Sequence, residues 1–146
     1  MEPRIINPTA PRTLPELNDV NRPFWTGGAE GQLLIQRCSA CRLWVHPPTN
    51  ACQHCGGDLR EQAVLGTGTI FTFTVNHQQY HPDVQPPYVI AIVVLDEQED
   101  LRLPTNIVNA DPGELWCGQP VRVLFEPNGE VYVPVFEPVM VTRARL

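Results

Sequence analysis

The chain has 146 residues, sixteen of them proline, and a formal net charge of −6. Its ten basic residues are all arginine and Ser39 is its one serine, so the sequence excludes Schiff-base chemistry by a lysine and disfavours a serine nucleophile. No stretch approaches the ~18 consecutive apolar residues of a membrane-spanning helix, and prolines this frequent predict a mainly β protein of one or two small units that does not span a membrane.

The net negative charge comes entirely from the second part of the chain, because the charges of the first part cancel. Residues 1–62 carry six arginines and six acidic residues, whereas residues 63–146 carry four arginines and ten acidic residues. An acidic surface opposes the neutralisation of phosphates on which nucleic-acid binding depends. We therefore expect no nucleic-acid partner.

The first 30 residues are predicted to form an arm followed by a short helix. Residues 1–17 hold four prolines and no apolar run typical of a secretory signal, which favours an extended arm and a cytoplasmic protein. Residues 18–30 predict one helix, with Asn21 as its cap and Pro23 in an early helical position.

Two aromatic residues, Phe24 and Trp25, are neighbours within this predicted helix. Adjacent residues point in different directions on a helix, so a single apolar face cannot bury both. One of the two is therefore a candidate for a binding interface. The alternative is that both pack on the structure beneath the helix.

Two Cys-x-x-Cys pairs come next, Cys38 with Cys41 and Cys52 with Cys55, and ten residues separate the pairs. Four thiolates at about 2.3 Å are the shell that a structural Zn²⁺ prefers, and this spacing is typical of facing zinc knuckles. Because four sulfurs close the tetrahedral shell, the sequence predicts one structural zinc per chain with no open position for a catalytic water.

Two alternatives to the Cys₄ site remain from the residues alone. The cysteines could form two disulfides, which a reducing compartment disfavours. His46 or His54 could also replace one sulfur as a zinc ligand.

Residues 31–65, which contain the cysteines, are predicted to form a three-stranded zinc ribbon. Its strands are expected at residues 31–37, 43–46 and 58–65, and Pro47-Pro48 ends the second strand.

Residues 66–140 are predicted to form a five-stranded OB-fold barrel, followed by a C-terminal tail at 141–146. Alternation places Phe71, Phe73 and Val75 on one strand face, and a continuous apolar run predicts a buried central strand. Asn128-Gly129 predicts a hairpin turn. The expected strands are residues 69–75, 88–95, 101–108, 121–125 and 131–136, with a helical turn at 111–116.

The residue types around three further groups predict their roles. His77 and His81 are expected to be loop residues rather than catalytic bases, so no catalytic residue is predicted. Cys117 is expected to be a small buried apolar residue rather than a reactive thiol, because no basic residue lies next to it in the sequence. The acidic run at residues 96–100 is expected to be a solvated turn.

The ordered motifs from residue 21 to residue 138 resemble those of a zinc-ribbon plus OB-fold family long catalogued as a domain of unknown function. The resemblance implies a rubredoxin-like ribbon joined to an OB barrel. It also implies a small, non-catalytic partner of thiolase-superfamily proteins that act on acyl-CoA. The motifs are Pro23-Phe24-Trp25, Gly31-x-Leu33, the two cysteine pairs, Pro47-Pro48, Gly66-x-Gly68, Pro87-Tyr88, Gly118-x-Pro120-Val121 and Pro134-x-Phe136.

The leading hypothesis is therefore an accessory subunit that binds and orders a thiolase-fold, lipid-transfer-protein-like aldolase or an acyltransferase. The resemblance implies a hetero-oligomer around a partner dimer, acyl-CoA near the interface, and a possible place in steroid side-chain degradation. The alternatives are a single-stranded nucleic-acid-binding OB-fold module, a stand-alone acyl-CoA-binding protein, and an enzyme that uses His77 or His81 as a base.

Aromatic residues and an irregular loop predict where a partner would bind. Interface hot spots favour large aromatic side chains, and loops beside a rigid sheet commonly carry binding residues. The expected partner-binding residues are Phe24, Trp25, Tyr80, His81 and Tyr88.

Overall fold

The computed structural model describes residues 5–7 and 12–139. The predicted C-terminal tail at 141–146 and parts of the predicted arm lie outside the described residues. The described chain contains a short helical segment, a three-stranded sheet and a closed five-stranded barrel, so the mainly β prediction is confirmed. Among the described residues, no helix has the length and apolar character needed to cross a membrane.

The helical segment is shorter and less regular than the sequence predicted. Helix α1 spans Arg22–Thr26 and continues as a 3₁₀ turn over Gly27–Glu30. Asn21 is the N-cap residue, as predicted, but its side chain makes no capping hydrogen bond to the helix. The side-chain oxygen of Asn18 instead accepts hydrogen bonds of 2.9 Å from the backbone N–H groups of the next turn.

The 3₁₀ turn lies directly against the barrel. A Cβ atom on Gly28 would lie 2.5 Å from both the ring of Phe125 and the side chain of Tyr132. A larger residue here would push the segment away from the barrel wall. Gly28 therefore permits the close packing of the helical segment on the barrel.

The ribbon has the three strands that the sequence predicted. Strand β1 spans Leu33–Cys38, β2 spans Trp44–Val45 and β3 spans Leu59–Val64. Their order is β2-β1-β3 and both pairings are antiparallel. Strand β2 is brief because Pro47, which follows closely, has no N–H group to continue a ladder.

The barrel closes in the order β4-β5-β6-β8-β7. All its pairings are antiparallel except that of β6 with β8, which meet in parallel at Ile107 and Phe136. A 3₁₀ turn at Pro112–Glu114 joins β6 to β7. The strands are β4 Thr67–Asn76, β5 Tyr88–Leu95, β6 Arg102–Ile107, β7 Pro120–Asn128 and β8 Val131–Pro138.

Ribbon and barrel share one hydrophobic core. Leu33 and Ile35 of β1 and Trp44 of β2 belong to the same buried cluster as the inward-facing residues of the barrel. The side-chain amide of Gln98, in the turn between β5 and β6, also accepts from the N–H and donates to the C=O of Trp44, at 3.0 Å each. The two units therefore pack as one structure.

A β-bulge changes the predicted faces of β4. The register of β4 against β5 shifts between Ile70 and Thr72. Ile70 is buried, Phe71 is 48% exposed on the outside, and Phe73 and Val75 pack against the core. The prediction that Phe71 shares a face with Phe73 and Val75 was therefore wrong, because a bulge adds one residue to the alternation.

Strand β5 is buried on one face only, although its sequence is apolar throughout. Val89 and Val93 point into the core, whereas Ile90 is 45% exposed. The expectation of a buried central strand therefore holds for the inner face only, and the outer face is partly exposed.

Two turns also differ from expectation. Asn128 pairs with Val131 at the end of the β7–β8 hairpin, so the two turn residues are Gly129 and Glu130, one position later than predicted. Gly129 has φ +66°, the left-handed conformation that a two-residue hairpin turn requires. Cys117 is exposed, not buried, because it lies in a tight turn in which the Gly118 N–H donates to the Ile70 carbonyl.

Candidate metal centre and docking recess

The four predicted zinc ligands converge at one end of the ribbon. Their sulfur atoms all lie within 4.8 Å of one another. The Sγ atoms of Cys38 and Cys55 are 3.4 Å apart, and those of Cys41 and Cys52 are 3.8 Å apart. Four ligands about 2.3 Å from one tetrahedral Zn²⁺ lie roughly 3.8 Å from each other, so the observed spacing fits the ion.

Tight backbone turns bring the sulfurs together. Cys38 ends β1, and the N–H of Cys41 points at its sulfur at 3.4 Å. In the second knuckle the Gly56 N–H donates to the Cys52 carbonyl at 2.7 Å, and Gly56 adopts φ +77°. A Cβ atom on Gly57 would lie 2.8 Å from the sulfur of Cys38, so only glycine fits beside the cluster.

The electrostatics of the cluster also fit a cation. The Cys41 backbone N–H is the main cause that lowers the pKa of Cys38, to about 6. The Leu43 backbone N–H lowers the pKa of Cys41, but removal from water and the neighbouring sulfurs outweigh it and raise that pKa to about 12. Thiols this close cannot all ionise unless a positive ion compensates them, which a bound Zn²⁺ does.

The alternative ligand sets do not agree with the geometry. The sulfur separations exceed the ~2.05 Å of a disulfide bond, and all five cysteines are free. His54 is exposed and outside the cluster. His46 packs its ring against Phe24, with 4.7 Å between the ring centroids.

A second feature, which we call the docking recess, is a cavity of about 660 Å³ between the arm, α1 and one end of the barrel. Its walls come from Arg12, Thr13 and Pro15 of the arm, from Trp25 of α1, from the loop between β4 and β5, and from the ends of β5 and β6. Four of the five predicted partner-binding residues line it: Trp25, Tyr80, His81 and Tyr88.

Ring contacts arrange the aromatic wall of the recess. The ring centroid of Tyr80 lies 5.7 Å from that of Tyr88 and 6.5 Å from that of His81, both edge-on. Tyr80 is 66% exposed, whereas the Tyr88 hydroxyl accepts a hydrogen bond from the Asn76 amide. His81 Nδ1 accepts from the Asp83 N–H at 3.1 Å, so this histidine shapes the loop.

Phe24 has a different position from the other four residues. It is 4% exposed and its ring meets that of Trp25 edge-on at 4.8 Å. The expectation that Phe24 itself offers contact surface therefore does not fit this geometry. Phe24 is a core residue, and the half-buried Trp25 packs against the same core while it also lines the recess.

Sequence reasoning missed a polar network that joins the recess residues Arg12 and Asn106 to the buried Glu126. Glu126 of β7 is 3% exposed and accepts a hydrogen bond from Nε of Arg12. Nη1 of Arg12 donates to the Asn106 side-chain oxygen at 3.0 Å, and the Asn106 amide donates to the Val89 carbonyl at 2.8 Å. The one available signal was a carboxylate directly after the apolar stretch of a predicted core strand.

The family comparisons match most of the described chain. Residues 25–60 match "ChsH2, rubredoxin-like zinc ribbon domain", and residues 61–126 match "ChsH2, C-terminal OB-fold domain". The chain belongs to this family. The family resemblance and the structural zinc predicted from the cysteine spacing are thereby confirmed.

Two curated relatives are longer proteins that are named as enzyme subunits. A "Probable enoyl-CoA hydratase alpha subunit" from Thermomonospora curvata is 38% identical over 133 residues, 90% of this chain and 41% of the relative. The "3-oxo-4,17-pregnadiene-20-carboxyl-CoA hydratase alpha subunit" of Mycobacterium tuberculosis is 35% identical over 70% of this chain and 32% of its own length. This chain therefore spans less than half of either relative.

A third relative is closer in length. The "DUF35 domain-containing scaffold protein" of Methanocaldococcus jannaschii is 30% identical over 64% of this chain and 67% of its own length.

Two solved structures share the fold. A chain of the "Ltp2-ChsH2(DUF35) aldolase" superposes with a TM-score of 0.77 at 37% identity, covering 86% of this chain and 98% of that chain. A DUF35-family protein of unknown function from Sulfolobus solfataricus superposes with a TM-score of 0.60 at 14% identity, covering 83% of this chain and 86% of that chain. The second likeness shows the shared fold alone.

Proposed function

We propose that this chain is a non-catalytic accessory subunit that binds and orders a thiolase-fold aldolase or acyltransferase acting on acyl-CoA thioesters. One observation carries the proposal: the chain matches 98% of a chain in the solved Ltp2-ChsH2(DUF35) aldolase at 37% identity. This chain therefore corresponds to nearly all of the ChsH2(DUF35)-type chain seen in that structure.

The chemistry of the chain supports an accessory role. The four sulfurs complete the shell of a zinc ion and leave no ligand position for water or substrate. The chain has no lysine, and the recess histidine, His81, is engaged with the backbone of its own loop. The relative in Methanocaldococcus jannaschii carries the name of a scaffold protein, which agrees with this role.

The docking recess is the proposed contact with the thiolase-fold subunit. Trp25 and Tyr80 contribute aromatic surface to it, and the ring of Tyr80 contacts those of His81 and Tyr88. Large aromatic side chains on a concave surface are typical of interface hot spots. The partner subunit would insert apolar side chains here, with the barrel facing the acyl-CoA entrance of a hetero-oligomer built around a partner dimer.

The substrate class is an extension of the same comparison. Both longer relatives are named as acyl-CoA hydratase subunits, and one is named for a steroid-derived CoA thioester. We therefore include steroid side-chain degradation in the proposal.

The test begins with the native complex. The chain should co-purify from its host with a thiolase-superfamily protein, which is then produced alone and titrated with the purified chain. We expect aldolase or acyltransferase activity with CoA thioesters from the pair and none from this chain alone. Turnover by the isolated chain that is lost in His77→Ala or His81→Ala would reverse the assignment.

The recess is tested in the same titration. Trp25→Ala and Tyr80→Ala should each weaken binding by about tenfold, as expected for hot-spot aromatics, with zinc content unchanged. Trp116→Ala is the matched control, because Trp116 is 44% exposed and lies outside the recess. Folded Trp25 and Tyr80 variants with wild-type affinity would place the interface elsewhere.

A further inference from the structure

The outside of the barrel carries an apolar surface that neither the core nor the zinc site explains. Thr72, Ile92 and Pro104 form one row across strands β4, β5 and β6. Ile90 follows in the next row at 45% exposure, and Phe71 is 48% exposed. We call the outward-facing side of these three strands the outer face.

The charge of this surface differs from that of the chain. Strands β4, β5 and β6 contain no acidic residue, and Arg102 is their one charged residue, in a protein of net charge −6. Depletion of charge together with aromatic and arginine side chains is the composition that distinguishes the centre of protein interfaces from ordinary surface.

Arg102 lies across this surface rather than extending into solvent. Its guanidinium carbon is 4.1 Å from the ring centroid of Phe71. Among the described residues, no carboxylate lies within salt-bridge distance of it. A stacked guanidinium keeps its N–H donors free at the edge, where they can meet a carboxylate of a partner.

The outer face is continuous with the docking recess. Tyr88 lines the recess and lies on the same side of β5 as Ile90 and Ile92, because alternate residues of a strand share a face. Asn106 of β6 also lines the recess and pairs with Ile90. A partner seated in the recess therefore meets the outer face next.

Shape decides between a second copy of the chain and a different partner. A closed barrel of five strands is narrow, so its outer face is strongly convex. Two convex faces would touch along a line and bury much less than the ~800 Å² per partner of a stable interface. The surface instead fits a groove with an apolar floor.

We infer that the outer face is the second half of the interface with the thiolase-fold subunit, and that it lies in a groove of that subunit with a carboxylate opposite Arg102. This inference rests on the proposed function and extends its interface beyond the recess. The recess anchors the aromatic side chains, and the outer face supplies the remaining apolar contact area.

The test uses the full-length zinc-loaded chain and the purified thiolase-superfamily protein identified by co-purification. Ile90→Glu and Arg102→Glu should each weaken binding by about tenfold or more, because they bring a carboxylate to an apolar contact or to a carboxylate. The loss of affinity caused by Arg102→Glu should become smaller as the salt concentration rises, because salt screens the repulsion between the two carboxylates. Gln62→Glu, at an exposed strand position of the ribbon, is the matched control and should bind within twofold of wild type, on the order expected for a rim charge.

The outcomes separate the two proposals. If wild type does not bind the thiolase-superfamily protein, the proposed function fails. If Trp25→Ala weakens binding but both outer-face variants bind as wild type, the function stands and the outer face is not part of the interface. Ile90→Thr, which keeps strand propensity, replaces Ile90→Glu if the latter unfolds. A wild-type dimer in sedimentation that Ile90→Glu dissociates would assign the face to a second copy and overturn the inference.

Discussion

The ribbon and the barrel contain antiparallel strands that are held in place by different interactions. The barrel strands have six to ten residues and close on each other around a core. The ribbon strands have two to six residues, and β3 is exposed along most of its length. A sheet with so little buried surface needs another source of stability, and four sulfurs around one ion supply it.

The difference is not a division into two independent units. The ribbon contributes Leu33, Ile35 and Trp44 to the core of the barrel, so its metal centre fixes residues that the barrel also needs. The barrel in turn holds β2 of the ribbon through the turn that bears Gln98. We therefore expect changes in the ribbon to affect the stability of the whole chain.

Loss of a zinc ligand should have the largest effect. Cys52→Ser should release the metal and lower the free energy of unfolding by on the order of 5 kcal/mol, because three sulfurs no longer complete the shell. Hydrogen exchange should show opening of residues 31–65 before the barrel strands. Metal analysis and chemical denaturation measure both effects.

Cys117→Ser is the control for the zinc experiment. Cys117 is exposed and outside the sulfur cluster, so this variant should keep one zinc per chain and wild-type stability. A fully folded wild-type chain without zinc would contradict the metal centre.

The sequence predicts features that depend on neighbouring residues, and it does not predict contacts between residues that are far apart in the chain. The zinc site follows from residues three positions apart in tight turns, and β5 follows from an apolar run whose two ends are the observed strand ends. The bulge between Ile70 and Thr72 could not be predicted, because it inserts one residue into a strand in which inward and outward side chains otherwise alternate. Arg12 and Glu126 are 114 residues apart, so only the closed fold brings them together.

A second prediction concerns acid stability at the contact between ribbon and helix. Burial lowers the pKa of His46 to about 4, and its Nδ1 atom has no hydrogen-bond partner in the described structure. The folded-state pKa lies below the unfolded value of about 6.5. The stability that the neutral His46 contributes is therefore fully present above pH 6.5 and is lost as the pH falls toward 4. Between pH 7 and pH 5 the titration of His46 should lower the free energy of unfolding by about 2 kcal/mol.

The measurement compares wild type with His46→Phe, which cannot titrate. Chemical denaturation at pH 7 and pH 5 should give a smaller loss of unfolding free energy in the variant, by that difference. His54→Gln, at an exposed position, is the control variant. Zinc content is measured at both values, and equal pH dependence in His46→Phe and wild type would refute the assignment.

The smallest expected effect tests the joint between ribbon and barrel directly. Gln98 pairs with both backbone groups of Trp44, so a side-chain amide occupies the outer edge of β2 where a further strand would otherwise lie. Gln98→Ala removes both hydrogen bonds and should cost about 1–2 kcal/mol, since each typical bond contributes about 0.5–1.5 kcal/mol. Because the zinc shell and the shared core remain, the loss should appear as faster hydrogen exchange at the Trp44 N–H while the barrel strands keep their protection. Gln53→Ala, at an exposed position in the second knuckle, is the control and should leave that exchange rate unchanged. Unchanged protection of Trp44 in Gln98→Ala would mean that core packing alone holds the ribbon on the barrel.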